Sequence, residues 1–142
     1  MNMLAKAIQI ASTAHLNQTD KGGKPYILHP LWIMDKVRHL GEDYMIVAVL
    51  HDVIEDSPDW SIHNFIAEGF NTDICLVLSL LTHNSDISYD DYIKRLSTNP
   101  IAKAVKLRDL EHNSKITRLK GLRKKDLDRL EKYHRAYTYL LD

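Results

Sequence analysis

The chain has 142 residues, of which 44% are hydrophobic and 27% are charged, and its 19 lysines and arginines balance its 19 aspartates and glutamates. This composition is typical of a globular domain with a buried core. The zero net charge argues against a large basic surface for nucleic acid. We therefore expect a single domain over residues 1–142, with no nucleic-acid partner.

Cysteine content and hydropathy further limit the class of protein to which the chain can belong. The one cysteine, Cys75, excludes a disulfide framework within the chain and argues against a cysteine-based zinc site. Lys6 and Gln9 interrupt the first apolar residues, unlike a signal peptide, and no segment approaches the roughly 20 apolar residues of a membrane span. We expect a cytoplasmic protein without a membrane partner. Assembly into homo-oligomers is compatible with this sequence.

Apolar residues recur at spacings of three and four along most of the chain, which predicts amphipathic helices separated by polar loops. Pro30 and Pro100 are placed to open helices, and Asn71 or Thr72 to cap one. The long apolar run at 46–54 predicts a buried helix. The fold class is therefore all-α, with about seven to eight helices. The predicted helices span 2–17, 30–40, 43–55, 61–68, 73–82, 89–97, 100–118 and 124–141.

The segment His51-Asp52-Val53-Ile54-Glu55-Asp56 carries one imidazole and three carboxylates. On a continuous helix, residues four apart share a face, so we expect His51 beside Glu55 and Asp52 beside Asp56. Four ionisable groups at the end of an apolar helix are costly to bury unpaired. A bound cation would offset that cost by neutralising the carboxylates and taking the imidazole lone pair.

Two distant residues extend this candidate site. His29 lies at the predicted start of a helix, where its side chain can point at a neighbouring helix. Asp109 shares a helix face with the apolar Val105, so its carboxylate should point inward and needs a partner there. With His51 and Asp52 they form a nitrogen and oxygen ligand set that suits Mn²⁺, Fe²⁺ or Zn²⁺ better than Ca²⁺. Such a set leaves positions open for water and substrate.

The order of one His, then His-Asp, then a distant Asp resembles the metal pattern of the HD-domain phosphohydrolases. The surrounding residues resemble one branch of them, the hydrolase domain of RelA/SpoT-type proteins and the small alarmone hydrolases. The resemblance runs from about residue 3 to 140, in family order and spacing. The matching stretches are His15-x-x-Gln18, Gly23–Pro30, Val49–Asp56 and Val105–Asn113.

This resemblance implies a compact, single-domain, helical HD fold and a specific reaction. The family removes the 3′-pyrophosphate of (p)ppGpp, a small nucleotide, usually with Mn²⁺. The four metal-ligand candidates match its metal ligands, and Glu55 and Asp56 match the acidic pair that acts on the attacking water.

The resemblance also implies substrate contacts. Asn113 matches a residue near the substrate sugar, and Lys21 aligns with a lysine of the substrate-facing loop. Lys21, Lys24 and Lys106 are candidates to hold the phosphoryl oxygens. Where the family often has an arginine that stacks on guanine, this chain has Asp20. An aspartate neither stacks on a base nor attracts a polyphosphate, so we expect weaker discrimination for guanine.

Two alternatives stay open beside a (p)ppGpp 3′-pyrophosphohydrolase. The first is an HD phosphohydrolase that acts on another nucleotide or phosphoester. The second is a regulatory module that binds a nucleotide with the metal and turns it over slowly. Glu55 and Asp56 argue against the second alternative, because a module that only binds does not need both carboxylates.

Overall fold

The computed structural model describes residues 2–142, and the first residue of the predicted 1–142 domain lies outside this range. Within 2–142 the chain forms nine α-helices and two short 3₁₀ turns, Arg38–Leu40 and Ile116–Arg118. This confirms the predicted all-α class. In chain order the helices are α1 (Met3–Ala14), α2 (Leu28–Lys36), α3 (Glu42–Leu50), α4 (Val53–Asp56), α5 (Ile62–Ala67), α6 (Thr72–Leu81), α7 (Tyr89–Leu96), α8 (Pro100–Asn113) and α9 (Lys124–Leu141).

Side-chain caps fix where several helices begin, as their sequences predict. The Asn71 side chain accepts a hydrogen bond from the Ile74 amide, which confirms the predicted cap of α6. The Asn99 side chain accepts from two backbone amides of the first turn of α8, and Pro100 follows it at the first helical position. These side chains satisfy amides that have no partner inside the helix.

Helix α3 lies at the centre of the fold. Its residues from Ile46 to Leu50 are all buried, and it packs against α1, α2, α6 and α8. A helix that is apolar on every side is stable only when other elements surround it. Because α3 runs through the core, the polar residues at its end, His51 and Asp52, are placed inside the molecule.

The predicted helix over 43–55 is wrong in one respect, because the chain turns at His51 and Asp52 and divides it into α3 and α4. The His51 ring donates to the carbonyl oxygen of Ala48 at 2.6 Å. Asp52 has a φ of −101° and a ψ of −3°, which depart from the angles of a regular α-helix. The carbonyl oxygen of Asp52 then accepts a hydrogen bond from the amide of Asp56 at 3.0 Å, so helical bonding resumes in α4.

Four other predicted helix ends shift by two to five residues. Helix α1 ends at Ala14, so His15 follows it, and α2 begins at Leu28 and ends at Lys36. Helix α8 ends at Asn113, and the segment up to residue 118 is a loop that closes with a 3₁₀ turn. The last helix has the predicted end at Leu141. Within residues 2–142, no helix combines the length and apolar character that crossing a bilayer requires.

Candidate metal centre

Four side chains from separate parts of the fold meet beside the end of α3. They are His29 in the first turn of α2, His51 and Asp52 in the turn after α3, and Asp109 in α8. One potential ligand atom from each lies within 4.8 Å of those of the other three. No second group of this kind occurs among residues 2–142. The four metal-ligand candidates predicted from the sequence are therefore neighbours in space.

The orientation of the His51 ring is fixed by its neighbours. Its Nδ1 can only donate to the Ala48 carbonyl oxygen, which leaves Nε2 directed at Asp52 Oδ2 (3.0 Å) and Asp109 Oδ1 (3.3 Å). Burial lowers the pKa of His51, but the two carboxylates outweigh burial and hold its pKa well above the usual range. The centre thus stabilises positive charge, which a divalent cation would supply in place of a proton.

His29 is oriented by a second histidine. Its Nε2 lies 2.8 Å from Asp109 Oδ1, while its Nδ1 lies 2.7 Å from Nδ1 of His112. Burial and then the neighbouring His29 lower the pKa of His112 to about 4, so His112 is neutral and able to accept the hydrogen bond. This arrangement directs Nε2 of His29 towards the carboxylates, as a histidine ligand requires.

Asp109 is only 3% exposed and has a partner on each of its oxygens. Asn113 Nδ2 donates to Oδ1 at 3.1 Å, and the Lys106 ammonium donates to Oδ2 at 2.8 Å. Burial raises the pKa of Asp109, but Lys106 and the two histidines outweigh it and hold the pKa well below the usual range. Two residues predicted to touch substrate, Lys106 and Asn113, thus contact this carboxylate directly.

Asp52 has a partner that sequence reasoning did not single out. The Tyr26 hydroxyl donates to Asp52 Oδ2 at 2.6 Å, across 26 residues of chain. Burial raises the pKa of Asp52, but His51 outweighs it and lowers the pKa to about 2, so this carboxylate is ionised. Tyr26 lies within the stretch that resembles the HD family, but its type and spacing do not distinguish it from a packing residue.

A charged cavity of about 240 Å³ opens on one side of these four residues. Glu55 and Asp56 line it, and burial raises the pKa of both carboxyls, while nearby Asp52 adds to the effect. A higher pKa suits a carboxylate that accepts a proton near neutral pH. Lys106 and Lys132 line the same cavity, so it contains both acidic and basic groups.

The acidic pair is fixed by contacts outside its own short helix. Glu55 accepts a hydrogen bond from the backbone amide of His83. The Gln18 amide donates to the carbonyl oxygen of Asp56 at 2.8 Å, and Gln18 is itself bonded to the buried His15 ring at 2.7 Å. Glu55 and Asp56 therefore face the charged cavity from a segment anchored to the loops that follow α1 and α6.

A second cavity, of about 280 Å³, has His29 among its lining residues. Its basic lining residues are Lys21, Lys115, Arg118 and Arg129, and its apolar ones are Ile116, Leu119 and Leu130. The two cavities share Tyr26, Asn113 and Tyr133 as lining residues, so they are neighbours. Lys24, which was predicted to contact substrate, lines neither cavity, whereas Lys21 lines the second.

No protein-family model matches this chain. The chain is 33% identical over 88 residues to a guanosine-3′,5′-bis(diphosphate) 3′-pyrophosphohydrolase of Aquifex aeolicus, which is 61% of this chain and 12% of that protein. It is 42% identical over 57 residues to the bifunctional (p)ppGpp synthase/hydrolase SpoT of Escherichia coli, which is 39% of this chain and 8% of SpoT. A GTP pyrophosphokinase of Streptomyces coelicolor is 24% identical to this chain over 129 residues, which is 83% of this chain and 15% of that protein. The chain thus spans at most 15% of the length of these curated relatives.

Proposed function

We propose that this chain is a metal-dependent hydrolase that removes the 3′-pyrophosphate of guanosine 3′,5′-bis(diphosphate). Its homologues are (p)ppGpp hydrolases and synthases of the RelA/SpoT type, which match part of the chain. Residues 1–142 would form one HD-type domain that acts in the cytoplasm. The observation that carries the proposal is the convergence of two histidines and two aspartates, His29, His51, Asp52 and Asp109, beside two cavities.

The donor set fits a divalent transition metal, and Mn²⁺ is our proposed ion. Two imidazole nitrogens and two carboxylate oxygens match the preferences of Mn²⁺, Fe²⁺ and Zn²⁺. The pKa of His51, which its neighbours hold high, supports this fit because it reflects a local excess of negative charge. When bound, such an ion lowers the pKa of water and polarises a phosphoryl oxygen.

Glu55 and Asp56 are placed to act on the attacking water. The water oxygen would attack the phosphorus attached to the ribose 3′-oxygen, and the bond between that phosphorus and the 3′-oxygen would break. One of the two carboxylates would accept the proton that the attacking water loses, while the departing 3′-oxygen would take a proton from solvent water. The raised pKa of both carboxyls supports this role, because it brings them closer to neutral pH.

Lys106 and Lys132 would hold the pyrophosphate that is cleaved from the nucleotide in the charged cavity. The Lys106 ammonium already bonds Asp109, and the Lys132 ammonium lies 4.6 Å from the centre of the Tyr89 ring. Burial and then the neighbouring Lys106 lower the pKa of Lys132. An anion between these two cations would relieve their repulsion and gain charge-assisted hydrogen bonds.

The nucleoside would occupy the second cavity, with its sugar beside the residues that both cavities share. Asn113 is one of these, consistent with the sugar-side position that the resemblance gives it. Lys21 lines the second cavity and would contact the nucleotide there. The volume of about 280 Å³ is close to the lower end of typical small-molecule sites, roughly 300–1,000 Å³.

A second candidate function keeps the reaction and changes the base. Asp20 stands where an arginine would stack on guanine, which favours a nucleotide other than a guanine nucleotide as substrate. This candidate uses the same four metal ligands and the same acidic pair. It differs from the leading proposal only in which nucleoside 3′-pyrophosphate is cleaved fastest.

A panel of nucleotides tests both candidates. Purified protein with Mn²⁺ would be incubated with guanosine and adenosine 3′,5′-bis(diphosphate), cyclic nucleotides and nucleoside triphosphates, and released pyrophosphate and phosphate would be measured. We expect pyrophosphate from the guanosine bis(diphosphate), and loss of release in His51→Ala but not in His63→Ala, a change at an exposed histidine. Release from no member of the panel, at full metal occupancy, would overturn the proposed function.

A further inference from the structure

The loop at 19–25 is organised around one carboxylate, that of Asp20. Its Oδ1 accepts hydrogen bonds from the amides of Gly22 (2.8 Å) and Lys24 (2.9 Å). The backbone of Asp20 also pairs with Lys24, and an isolated bridge joins Thr19 to Pro25 at the base of the loop. Asp20 therefore builds the loop from within, and its second oxygen remains available for another partner.

That partner is Arg118, from the 3₁₀ turn after α8. Asp20 Oδ2 lies 3.6 Å from Arg118 Nη1. The backbones meet at the same place, because a Cβ added at Gly22 would lie 2.6 Å from the carbonyl oxygen of Arg118. Only glycine fits so close an approach without displacing one segment. The loop is thus matched to the Arg118 turn by an ion pair and by backbone contact.

Arg118 has a donor that this arrangement does not use. Its Nε is buried, and no group within residues 2–142 accepts a hydrogen bond from it. A buried donor without an acceptor is unfavourable and uncommon in folded proteins. Arg118 lines the second cavity together with the apolar side chains of Ile116, Leu119 and Leu130, which suit the faces of a flat ring. The unused donor and these walls together indicate a planar ligand that carries acceptors.

We propose that Arg118, held by Asp20, is the residue that reads guanine in the second cavity, an inference that rests on the proposed function and deepens it. Guanine presents two adjacent acceptors, N7 and O6, whereas adenine presents one acceptor and one donor on the same edge. The guanidinium is a rigid fork whose parallel N–H groups match two adjacent acceptors. With one side of the fork held by Asp20, its remaining donors serve the base.

This inference gives Asp20 a role different from the one expected from the sequence. We expected an aspartate here to weaken discrimination for guanine. In the structure its charge is balanced by an arginine 98 positions further along the chain, so the loop presents an aspartate–arginine pair to the cavity. The guanine-reading group is then supplied by the turn after α8 and is positioned by the loop.

Binding measurements test whether Arg118 recognises guanine, and they do not require turnover of the nucleotide. Guanosine and adenosine 5′-diphosphates would be titrated calorimetrically, in buffer with Mn²⁺, into the wild-type chain and into Arg118→Lys. A lysine keeps the charge but lacks the fork. We expect affinity for the guanine nucleotide to fall roughly five- to 150-fold, with little change for the adenine nucleotide. Arg38→Lys is the matched control, because Arg38 is an exposed arginine that also pairs with an aspartate, Asp35.

Two further variants keep the inference falsifiable if Arg118→Lys folds poorly. Asp20→Asn retains an oxygen for the loop amides but lacks the charge that holds Arg118. Gly22→Ala forces the loop away from the Arg118 carbonyl oxygen. Both should reduce the preference for guanine, and the midpoint of thermal unfolding, measured beside it, should show that each variant remains folded. Rates with guanosine and adenosine 3′,5′-bis(diphosphate) should change in the same ratio as the affinities.

The outcomes separate this inference from the proposed function. The wild-type chain could prefer the guanine diphosphate, Arg118→Lys could lose that preference, and neither could release pyrophosphate. This result would support the inference and contradict the proposed function. Equal loss of both nucleotides in Arg118→Lys would show that Arg118 binds the phosphates, and would overturn base reading. Equal wild-type affinity for the two nucleotides would overturn it as well.

Discussion

His29 Nε2 lies 2.8 Å from Asp109 Oδ1, although 80 residues separate the two side chains in the sequence. The contact joins the first turn of α2 to α8, and His51 approaches the same oxygen at 3.3 Å from the end of α3. One buried carboxylate oxygen therefore connects three helices. We expect metal binding and folding stability to depend on Asp109 together.

Replacing Asp109 by alanine should remove bound metal and hydrolysis at the same time. The variant lacks a charged ligand, and it leaves the Lys106 ammonium without the partner that it has at 2.8 Å. Breaking a buried pair on one side destabilises a protein by roughly 3 kcal/mol. Metal content after dialysis against Mn²⁺, and the midpoint of thermal unfolding with and without Mn²⁺, measure the two effects separately.

Asp35→Ala is the control for that experiment, since Asp35 is exposed and its one ion pair, with Arg38, is 4.0 Å long. It should keep a full metal load and wild-type stability. If Asp109→Ala also retained a full load of Mn²⁺, the assignment of Asp109 as a ligand would have to be abandoned.

Glu55→Gln and Asp56→Asn should retain metal and fold but lose turnover. Glutamine keeps an oxygen for the His83 amide that Glu55 binds, so the local structure is preserved. Neither amide can accept a proton from water. General base assistance contributes about 10²–10⁴-fold, so at least one variant should lose activity in that range, measured as kcat under saturating substrate. Wild-type kcat in both variants would exclude the acidic pair from the reaction.

Tyr26→Phe should weaken metal binding and leave the fold intact. The hydroxyl of Tyr26 donates to Asp52 Oδ2 at 2.6 Å and so orients a proposed ligand. Loss of a partner of this kind typically lowers metal affinity 10- to 100-fold. Competition with a calibrated chelator measures the shift. Tyr139→Phe, at a tyrosine that is 46% exposed, is the control, and equal affinity in the two variants would show that Tyr26 does not support the metal.

Local signals account for most helix ends, and tertiary contacts account for the exception. Asn71 and Pro100 predict helix starts because the first caps an amide of its own first turn and the second has a φ suited to the first helical position. The break in the predicted 43–55 helix has a different cause. His51 turns its ring to the Ala48 carbonyl and points Nε2 at two carboxylates, one of them on α8. Spacing within the segment gives no signal of that distant partner.

The same distinction holds for the site. The four proposed metal ligands have ionisable side chains that are costly to bury unpaired, and for this reason they could be predicted from the sequence. Tyr26, Arg118 and Lys132 are ordinary residue types with no such signal. Their roles arise from contacts with Asp52, Asp20 and the charged cavity, which depend on how α2, the loop after α8 and α9 pack together.

Lys132→Gln should weaken binding of phosphate groups without affecting the metal. The Lys132 ammonium faces the charged cavity from α9, over the ring of Tyr89 at 4.6 Å. Burial and the nearby Lys106 lower its pKa, which means that its charge is poorly compensated in the free protein. A bound pyrophosphate would compensate that charge, so its loss should raise KM, and the inhibition constant of pyrophosphate, roughly ten-fold or more.

Lys124→Gln provides the matched comparison for Lys132→Gln, because Lys124 lies on the same helix, is 90% exposed and pairs with the exposed Asp128 at 3.3 Å. The two variants change net charge equally, so a difference between them reports position and not overall electrostatics. Metal content should match the wild type in both. If pyrophosphate inhibited Lys132→Gln and Lys124→Gln equally well, the charged cavity would not be where the departing group binds, and Lys132 would have no part in holding it.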